Sequence, residues 1–588
     1  MTAFAAMTTQ QRIVHPPHRA AIKGTRHMVA AGHHLAAQAG LQILEAGGNA
    51  VDAGVAAGIA LGVVQSDMVN VAGVAPIMVY MAGTRELKTV SGLGCWPQSV
   101  TVDYFQRQCQ GIIPFDIRRT VVPGAPDAWI TALERWGTMS FGEVVAAATR
   151  FARDGFAISS FMASQIAERI ADYGRFPSTR AIYLPGGRPP ASGDLFVQAD
   201  LGRTLQYMAD EERAHANGDR RAGLAAARRA FYQSDIAQTI DAFFRAEGGF
   251  LTYDDMAKFR VEVEDPPSVR FGDFDVYACG PWCQGPVLLQ ALSILNDVPL
   301  KVLGHNSPSY LHMLVEASKL AFADRERWYG DPRFVDVPMA GLLDRRYALQ
   351  RRTLLRADQA APGMPPAGDP INRAAIDAKQ PRLPPPSVVP PPPPGDTSYV
   401  CVVDRWGNAF SATPSDVTWD SPVVPGTGLC PSSRGSQSRA DPDHPASVAP
   451  GKRPRLTPNP AMAFRNGKPF MPFGTPGGDG QTQAMLQVFL NIALFGMDAQ
   501  AAVEAPRFIT NSFPNSFAPN DYYPGRLNLE RRMGQSLGET LDSFGHDVTW
   551  WPDWFWRGGS VCAIVVDETT GILHAGADPR QGSTAAGW

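Results

Sequence analysis

Residues 395–413 read Gly395-Asp396-Thr397-Ser398-Tyr399-Val400-Cys401-Val402-Val403-Asp404-Arg405-Trp406-Gly407-Asn408-Ala409-Phe410-Ser411-Ala412-Thr413. Two apolar runs flank Arg405-Trp406-Gly407-Asn408, so the spacing predicts a β-hairpin. Just upstream, residues 360–394 are dense in proline and poor in large apolar side chains, a composition that buries too little surface to fold alone. A proline-rich segment thus stops at Gly395-Asp396 and a strand starts at Thr397. That border is open to two readings. Thr397 simply opens a strand, as threonine often does. Alternatively it is a nucleophile. Cutting the bond before Thr397 would give it a free α-amine of pKa about 8, able to take the proton of its own hydroxyl. No protease is needed for the cut: the hydroxyl attacks the Asp396 carbonyl, the acyl group shifts from N to O, and water hydrolyses the ester. Gly395 lets the backbone bend, and the proline run carries the new C-terminus away.

Working outward, the pattern before the proline segment is mainly helical. Helices are predicted at 34–45, 50–64, 125–136, 141–154, 199–210 and 310–328, with a strand pair at 77–81 and 87–90. After the hairpin come a strand at 468–473, an amphipathic helix at 482–495 and a strand pair at 561–567 and 572–576. This order gives an α+β core built from two segments. The boundaries are a loose lead-in over 1–28, a large segment over 29–359, a mobile proline-rich tail over 360–396, and a small segment over 397–588.

The 588 residues are 44% hydrophobic and 19% charged, with a net charge of −3, which fits a globular protein and points away from nucleic acid or an anionic membrane. The longest apolar run, 51–64, is too short to span a bilayer. The N-terminus lacks a basic start followed by an apolar core, so it is a poor secretory signal. Seven scattered cysteines show no CxxC spacing and the eleven histidines do not cluster with them. The expectation is reduced thiols, a cytoplasmic protein, no metal and no cofactor.

Gly474-Thr475-Pro476-Gly477-Gly478-Asp479-Gly480 lies between a predicted strand and a predicted helix. The adjacent N–H groups of Gly477 and Gly478 suit an oxyanion hole. A phosphate loop is the weaker alternative, because the lysine of GxxxxGK[ST] and the GxGxxG spacing are absent. A plain glycine turn is the third reading.

Together these stretches resemble the γ-glutamyltransferase family of N-terminal nucleophile hydrolases. The resemblance runs from about Met28 to Trp588. It is carried, in the family's order, by segments that include Ala39-Gly-Leu-Gln-Ile-Leu-Glu-Ala-Gly-Gly-Asn49, Glu316-Ala-Ser-Lys-Leu-Ala-Phe-Ala-Asp324, Gly451-Lys-Arg-Pro454, Gly474-Thr-Pro-Gly-Gly478 and Ala577-Asp-Pro-Arg580. It implies a four-layer αββα sandwich and self-cleavage at Asp396-Thr397 into two subunits that stay together as a heterodimer or a dimer of heterodimers. It also implies Thr397 as nucleophile, Ser415 (or Thr413) as the hydroxyl bonded to it, and Gly477 and Gly478 as the oxyanion hole.

The family's glutamyl clamp is altered. Leu93 stands where the family has the carboxylate-binding arginine, Leu456-Thr457 where it has a serine pair, Ser436 or a neighbour near its acidic residue, and Val417 in place of an asparagine. Arg434, next to Ser433, replaces a glutamine. It suits a bidentate grip on a substrate carboxylate; the alternative is an ion pair with Asp441 or Asp443. The aromatic run Trp550–Trp556 either walls an acyl pocket or packs at the surface or at a subunit interface. The resulting expectation is a self-processing threonine amidohydrolase acting on a small-molecule amide, small or aromatic, with or without a carboxylate and not γ-glutamyl. The alternatives are a glutathione-cleaving γ-glutamyltransferase and an unprocessed, non-enzymatic relative.

Overall fold

The computed structural model describes residues 17–388 and 396–588. Two seven-stranded sheets lie face to face with helices on both outer sides, the four-layer αββα sandwich of N-terminal nucleophile hydrolases. One sheet runs in the order Thr584–Gly587, Met28–Ala31, Val400–Val403, Ala409–Ala412, Ile77–Met81, Glu86–Val90, Val263–Glu264. The other runs Ile22–Gly24, Leu573–Ala577, Cys562–Val566, Lys468–Gly474, Ala461–Arg465, Phe274–Ala278, Ser268–Phe271. Each sheet combines strands from both sides of the proline segment. The expected contrast between a helical first part and a strand-rich second part therefore does not extend to the architecture.

The predicted hairpin is the centre of the first sheet. Val400–Val403 pairs antiparallel with Met28–Ala31 on one side and with Ala409–Ala412 on the other, which in turn pairs with Ile77–Met81. Strand alternation explains why the hairpin is apolar throughout. Val400, Val402, Phe410 and Ala412 face the helical layer. Tyr399, Cys401, Val403 and Ala409 face the other sheet, among Met462, Phe464, Cys562 and Ile564. A strand buried on both faces has no polar side to show. The hairpin turn is fixed by Asp404, whose Oδ1 accepts from the N–H of Trp406 (2.9 Å) and Asn408 (3.0 Å). Its Oδ2 accepts from Asn408 Nδ2 and from the N–H of Ala50, both at 2.8 Å. Asp404 thus ties the turn to the start of the Ala50–Val64 helix, which Asn49 and Asp52 close with a capping box.

That helix is buried along its whole length, and small residues let it lie close to the sheet. A Cβ placed on Gly54 would fall 2.1 Å from the Phe410 ring.

Two expectations need correction. Part of the lead-in is ordered: Ile22–Gly24 pairs with Leu573–Ala577 as an edge strand, while residues 1–16 lie outside the described residues. Residues 360–388 of the segment expected to be mobile run along the body as a strap. Ala360 donates to Phe544 O (2.7 Å), Ala361 to Glu316 (3.0 Å), Met364 to Tyr522 (2.8 Å), Gly368 to Asp324 (2.9 Å) and Ser387 to Tyr522 O (2.7 Å). Backbone bonds to the body fix what low apolar content alone would leave loose. The proline run at 390–394 lies outside the described residues. No helix among the described residues is long and apolar enough to cross a membrane.

Replacing a mid-helix glycine with alanine ordinarily stabilises by about 1 kcal/mol. Gly54→Ala should instead destabilise by roughly 1–3 kcal/mol, because the new methyl overpacks against Phe410. Thermal unfolding should show a lowered Tm; an unchanged or raised Tm would contradict the packing described.

Candidate active site

Thr397 enters the sheet in a strained conformation. Its φ is 91°, a region that a β-branched residue rarely adopts. Such a residue typically stores about 1–3 kcal/mol, supplied by the surrounding structure. Its N–H, part of the Asp396-Thr397 peptide bond, donates to Met68 O at 2.7 Å. Thr397 is 1% exposed and Asp396 5%.

Thr397, Asp396, Ser415 and Arg434 form a closed ring of hydrogen bonds. Thr397 Oγ1 lies 2.6 Å from Ser415 Oγ and 3.2 Å from Asp396 Oδ1. The two Nη atoms of Arg434 donate to Asp396 Oδ2 and to Ser415 Oγ. Arginine only donates and a carboxylate only accepts, so the two hydroxyl directions are set. Ser415 donates to Thr397, and Thr397 points its proton at Asp396. Of the two hydroxyls the sequence left open, Ser415 meets Thr397, while Thr413 Oγ1 has no hydrogen-bond partner among the described residues.

Arg434 does not pair with Asp441 or Asp443. Its ion-pair partners are Asp396 and Asp416, the latter at 3.7 Å from Nε. Burial works against its charge, but the nearby carboxylates outweigh it and hold the guanidinium pKa above its ordinary value. Asp416 accepts from the hydroxyls of Ser432 (2.6 Å) and Ser433 (3.0 Å), and Ser433 also donates to Asp420 at 2.8 Å. Burial pushes the Asp416 carboxyl up to about 6 and also raises that of Asp420. Arg119 reaches Asp420 at 3.5 Å. Asp416, Asp420 and Arg119 escaped the sequence reading. Asp416 follows Ser415 directly and offered a local signal, but no spacing places Arg119, some 300 residues away, in the same network.

The remaining expected positions lie in neighbouring loops. Ser436 is buried and joins the site through its backbone: its N–H donates to Ser433 O and its carbonyl accepts from Ala518 N–H. Gln437 beside it donates from Nε2 to Thr457 Oγ1 at 2.7 Å and accepts from Thr457 N–H at 3.2 Å. Gln284 donates to the carbonyls of Thr457 (3.0 Å) and Gly478 (2.7 Å), joining the glycine loop to this side of the site. Gly477 and Gly478 have φ of 128° and 55°, which only glycine adopts without strain. Their N–H groups donate to no described residue. Leu93 and Leu456 meet in one buried apolar cluster with Val74, Cys279, Trp282 and Cys283. Leu93 and Leu456, which the resemblance aligns with an arginine and a serine, are thus both buried among apolar side chains.

The aromatic run is engaged elsewhere. Trp550 packs over Gly538, Trp554 lies on the Arg532 guanidinium (3.6 Å to the ring centroid) and against His18, and Trp556 meets Phe161. Among the described residues, His312, Glu316 and His546 are near enough to share a metal ion. Their donor atoms are already taken, with His312 Nδ1 2.9 Å from His546 Nε2 and Glu316 Oε1 2.7 Å from the Lys319 ammonium, so the set does not favour a cation.

The sandwich, with a buried threonine three residues before its central strand Val400–Val403, is the fold of an N-terminal nucleophile hydrolase. The chain belongs to the γ-glutamyltranspeptidase family, whose model matches residues 36–588. It is 32% identical to a glutathione hydrolase-like YwrD proenzyme of Bacillus subtilis (strain 168), covering 96% of this chain and 99% of that one. It is 30% identical to the acylase ACY 1 proenzyme of Pseudomonas sp. (strain V22), covering 89% and 88%. The solved cephalosporin acylase from Bacillus halodurans superposes with a TM-score of 0.83 at 28% identity over 99% of each chain.

Asp67, next to Met68, is buried with neither carboxylate oxygen hydrogen-bonded among the described residues, and burial raises its pKa to about 7. Its unfolded value is about 3.9, so the folded chain binds this proton more tightly. The stability it confers is complete below that value and is lost as pH rises through about 7, at up to about 1.4 kcal/mol per pH unit. Buried His33, His444 and His546, with lowered pKa values, act in the opposite sense over part of the same range. A paired comparison isolates Asp67. From pH 5 to 7.5, denaturant unfolding of Thr397→Ala should show it losing stability relative to Thr397→Ala/Asp67→Asn; parallel pH profiles would contradict the assignment.

Proposed function

We propose that this enzyme is a self-processing amidohydrolase whose nucleophile is Thr397 and whose substrate is not γ-glutamyl. The observation that carries the reading is the Thr397 hydroxyl, 2.6 Å from Ser415 and at a strained junction. In the first reaction Thr397 Oγ1 attacks the Asp396 carbonyl carbon and passes its proton to the Asp396 carboxylate. The C–N bond breaks, the nitrogen of Thr397 takes that proton, and an ester links Asp396 to Oγ1. Water then splits the ester, leaving a new carboxylate on Asp396 and a free amine on Thr397. The strain at Thr397 favours this cleavage because breaking the bond releases it.

In turnover the new amine replaces the Asp396 carboxylate as proton acceptor. Oγ1 attacks a substrate amide, and the amine carries the proton to the departing nitrogen. The free N–H groups of Gly477 and Gly478 bind the oxyanion, each such donor being worth roughly 3–4 kcal/mol in the transition state. Water resolves the acyl-enzyme. Ser415 holds and polarises the nucleophile, and Arg434, Ser433, Ser436 and Thr457 line the acyl side. The burial of Leu93 and Leu456 in one apolar cluster supports a substrate other than a γ-glutamyl amide, and the likeness to acylases fits such a shift.

Mass spectrometry of purified wild-type protein should find a chain break between Asp396 and Thr397, whereas Thr397→Ala should stay whole. Asp396→Asn should slow the cut by about 10²–10⁴-fold, the usual contribution of a positioned base. A wild-type chain found only intact would end the proposal. Processed protein should turn over a γ-glutamyl anilide poorly, since two or three lost charged hydrogen bonds of roughly 1.5–3 kcal/mol each would weaken glutamyl recognition by several orders of magnitude. Rapid turnover that depends on Thr397 would instead make this a glutathione-type hydrolase.

A further inference from the structure

The ion pair between Asp396 and Arg434 has a chemical reading beyond fold stability. We propose that Arg434 selects acyl groups bearing a carboxylate, and that the substrates are monoamides of four-carbon dicarboxylic acids. This rests on Thr397 being the nucleophile.

The self-cleavage is itself the hydrolysis of an amide, and its acyl half is Asp396. The carbonyl attacked by Thr397 and the side-chain carboxylate of Asp396 are joined through Cα and Cβ, the skeleton of a succinyl group. Arg434 donates to Oδ2 of that carboxylate while Oδ1 faces Thr397 Oγ1 at 3.2 Å. The uncut chain therefore presents its own acyl group to its own nucleophile with the carboxylate gripped. An external succinyl amide offers the same two groups at the same separation.

The surroundings keep that grip available after the cut. With Asp396 in place the Arg434 guanidinium is 1% exposed, lies 5.4 Å from the Phe517 ring centroid and has Asp416 at 3.7 Å from Nε, contacts that do not depend on Asp396. Asp416 is shared with the hydroxyls of Ser432 and Ser433 and sits on the Nε side, so it does not take the place of Asp396 at Nη1. Asp420 is similarly occupied by Arg119 and Ser433. A buried guanidinium with one terminal nitrogen unpaired favours a carboxylate over an alkyl group. Leu93 and Leu456 close the position where a longer, glutamyl-like chain would need a cation.

The test uses wild-type, self-processed protein and a series of amides: oxamate, malonamate, succinamate, glutaramate and neutral butanamide, with ammonia release as readout. Succinamate should have the highest kcat/KM, exceeding butanamide by about 10–100-fold, the range expected of one charged hydrogen bond. Arg434→Lys should lower the succinamate-to-butanamide ratio by about tenfold or more, mainly through KM, since lysine keeps the charge but not the fork. Arg434 also touches Ser415, and a variant that fails to self-cleave gives no ratio. Inhibition of the wild type is therefore measured in parallel: succinate should inhibit at concentrations at least about tenfold below oxalate, glutarate or butyrate. Equal turnover of butanamide and succinamate, an optimum at another chain length, or equal inhibition by succinate and butyrate would overturn the proposal while leaving Thr397 as nucleophile. An uncut chain that hydrolyses nothing in the series would overturn both.

Discussion

Four side chains close a ring in the middle of this molecule: Arg434 to Ser415, Ser415 to Thr397, Thr397 to Asp396, and Asp396 back to Arg434. Because one member only donates and another only accepts, the ring has a direction, and that direction aims the threonine proton at a carboxylate. The rest of the fold serves this arrangement. The hairpin that follows Thr397 is clamped between strands from the other segment, and Asp404 anchors its turn to a helix. The backbone is thereby held firmly enough to keep a β-branched residue at positive φ. Water is excluded, so each bond of the ring acts in a medium of low dielectric.

The same network shows how one scaffold can serve different amides. The hydroxyls of Thr397 and Ser415 and the paired glycines are set by backbone position beside the sheet and in its adjoining loop. Acyl recognition depends on side chains brought in from loops. Where the family resemblance places a glutamyl clamp, this chain has Leu93 and Leu456 in one buried apolar cluster. Both positions lie in a buried apolar cluster, while a buried guanidinium, Arg434, stands beside Thr397's partners Ser415 and Asp396. Function of this kind lies in the site, not in the fold that carries it.

Much of the fold was legible because it rests on local patterns. The helices at 34–45, 50–64, 125–136 and 141–154 have the bounds their periodicity predicted. The turn chemistry of Asp404, Gly407 and Asn408 announced the hairpin. What local pattern does not encode is pairing between distant strands, so the single core built from two segments was legible while the order of strands within each sheet was not. Low apolar content likewise suggested a loose segment at 360–388, where backbone bonds to Glu316, Asp324 and Tyr522 hold it down. In the site, Thr397 and Ser415 were visible through resemblance. The partners of Arg434 were not: one, Asp396, directly precedes Thr397, and the distant Arg119 pairs with Asp420 behind it.

The interleaving of the sheets bears on the order of events in the life of the molecule. While the backbone is continuous, the hairpin and its flanking strands find one another within a single chain, and folding does not depend on concentration. A cut at Thr397 turns the same contacts into an association between two chains. Their stability then acquires a concentration dependence, and recovery from unfolding requires an encounter between halves that each lack the centre or the edges of a sheet. Folding must therefore be complete before the bond breaks. The four members of the ring lie between residues 396 and 434, and the hairpin they flank is held on both sides by strands of the other segment, Met28–Ala31 and Ile77–Met81.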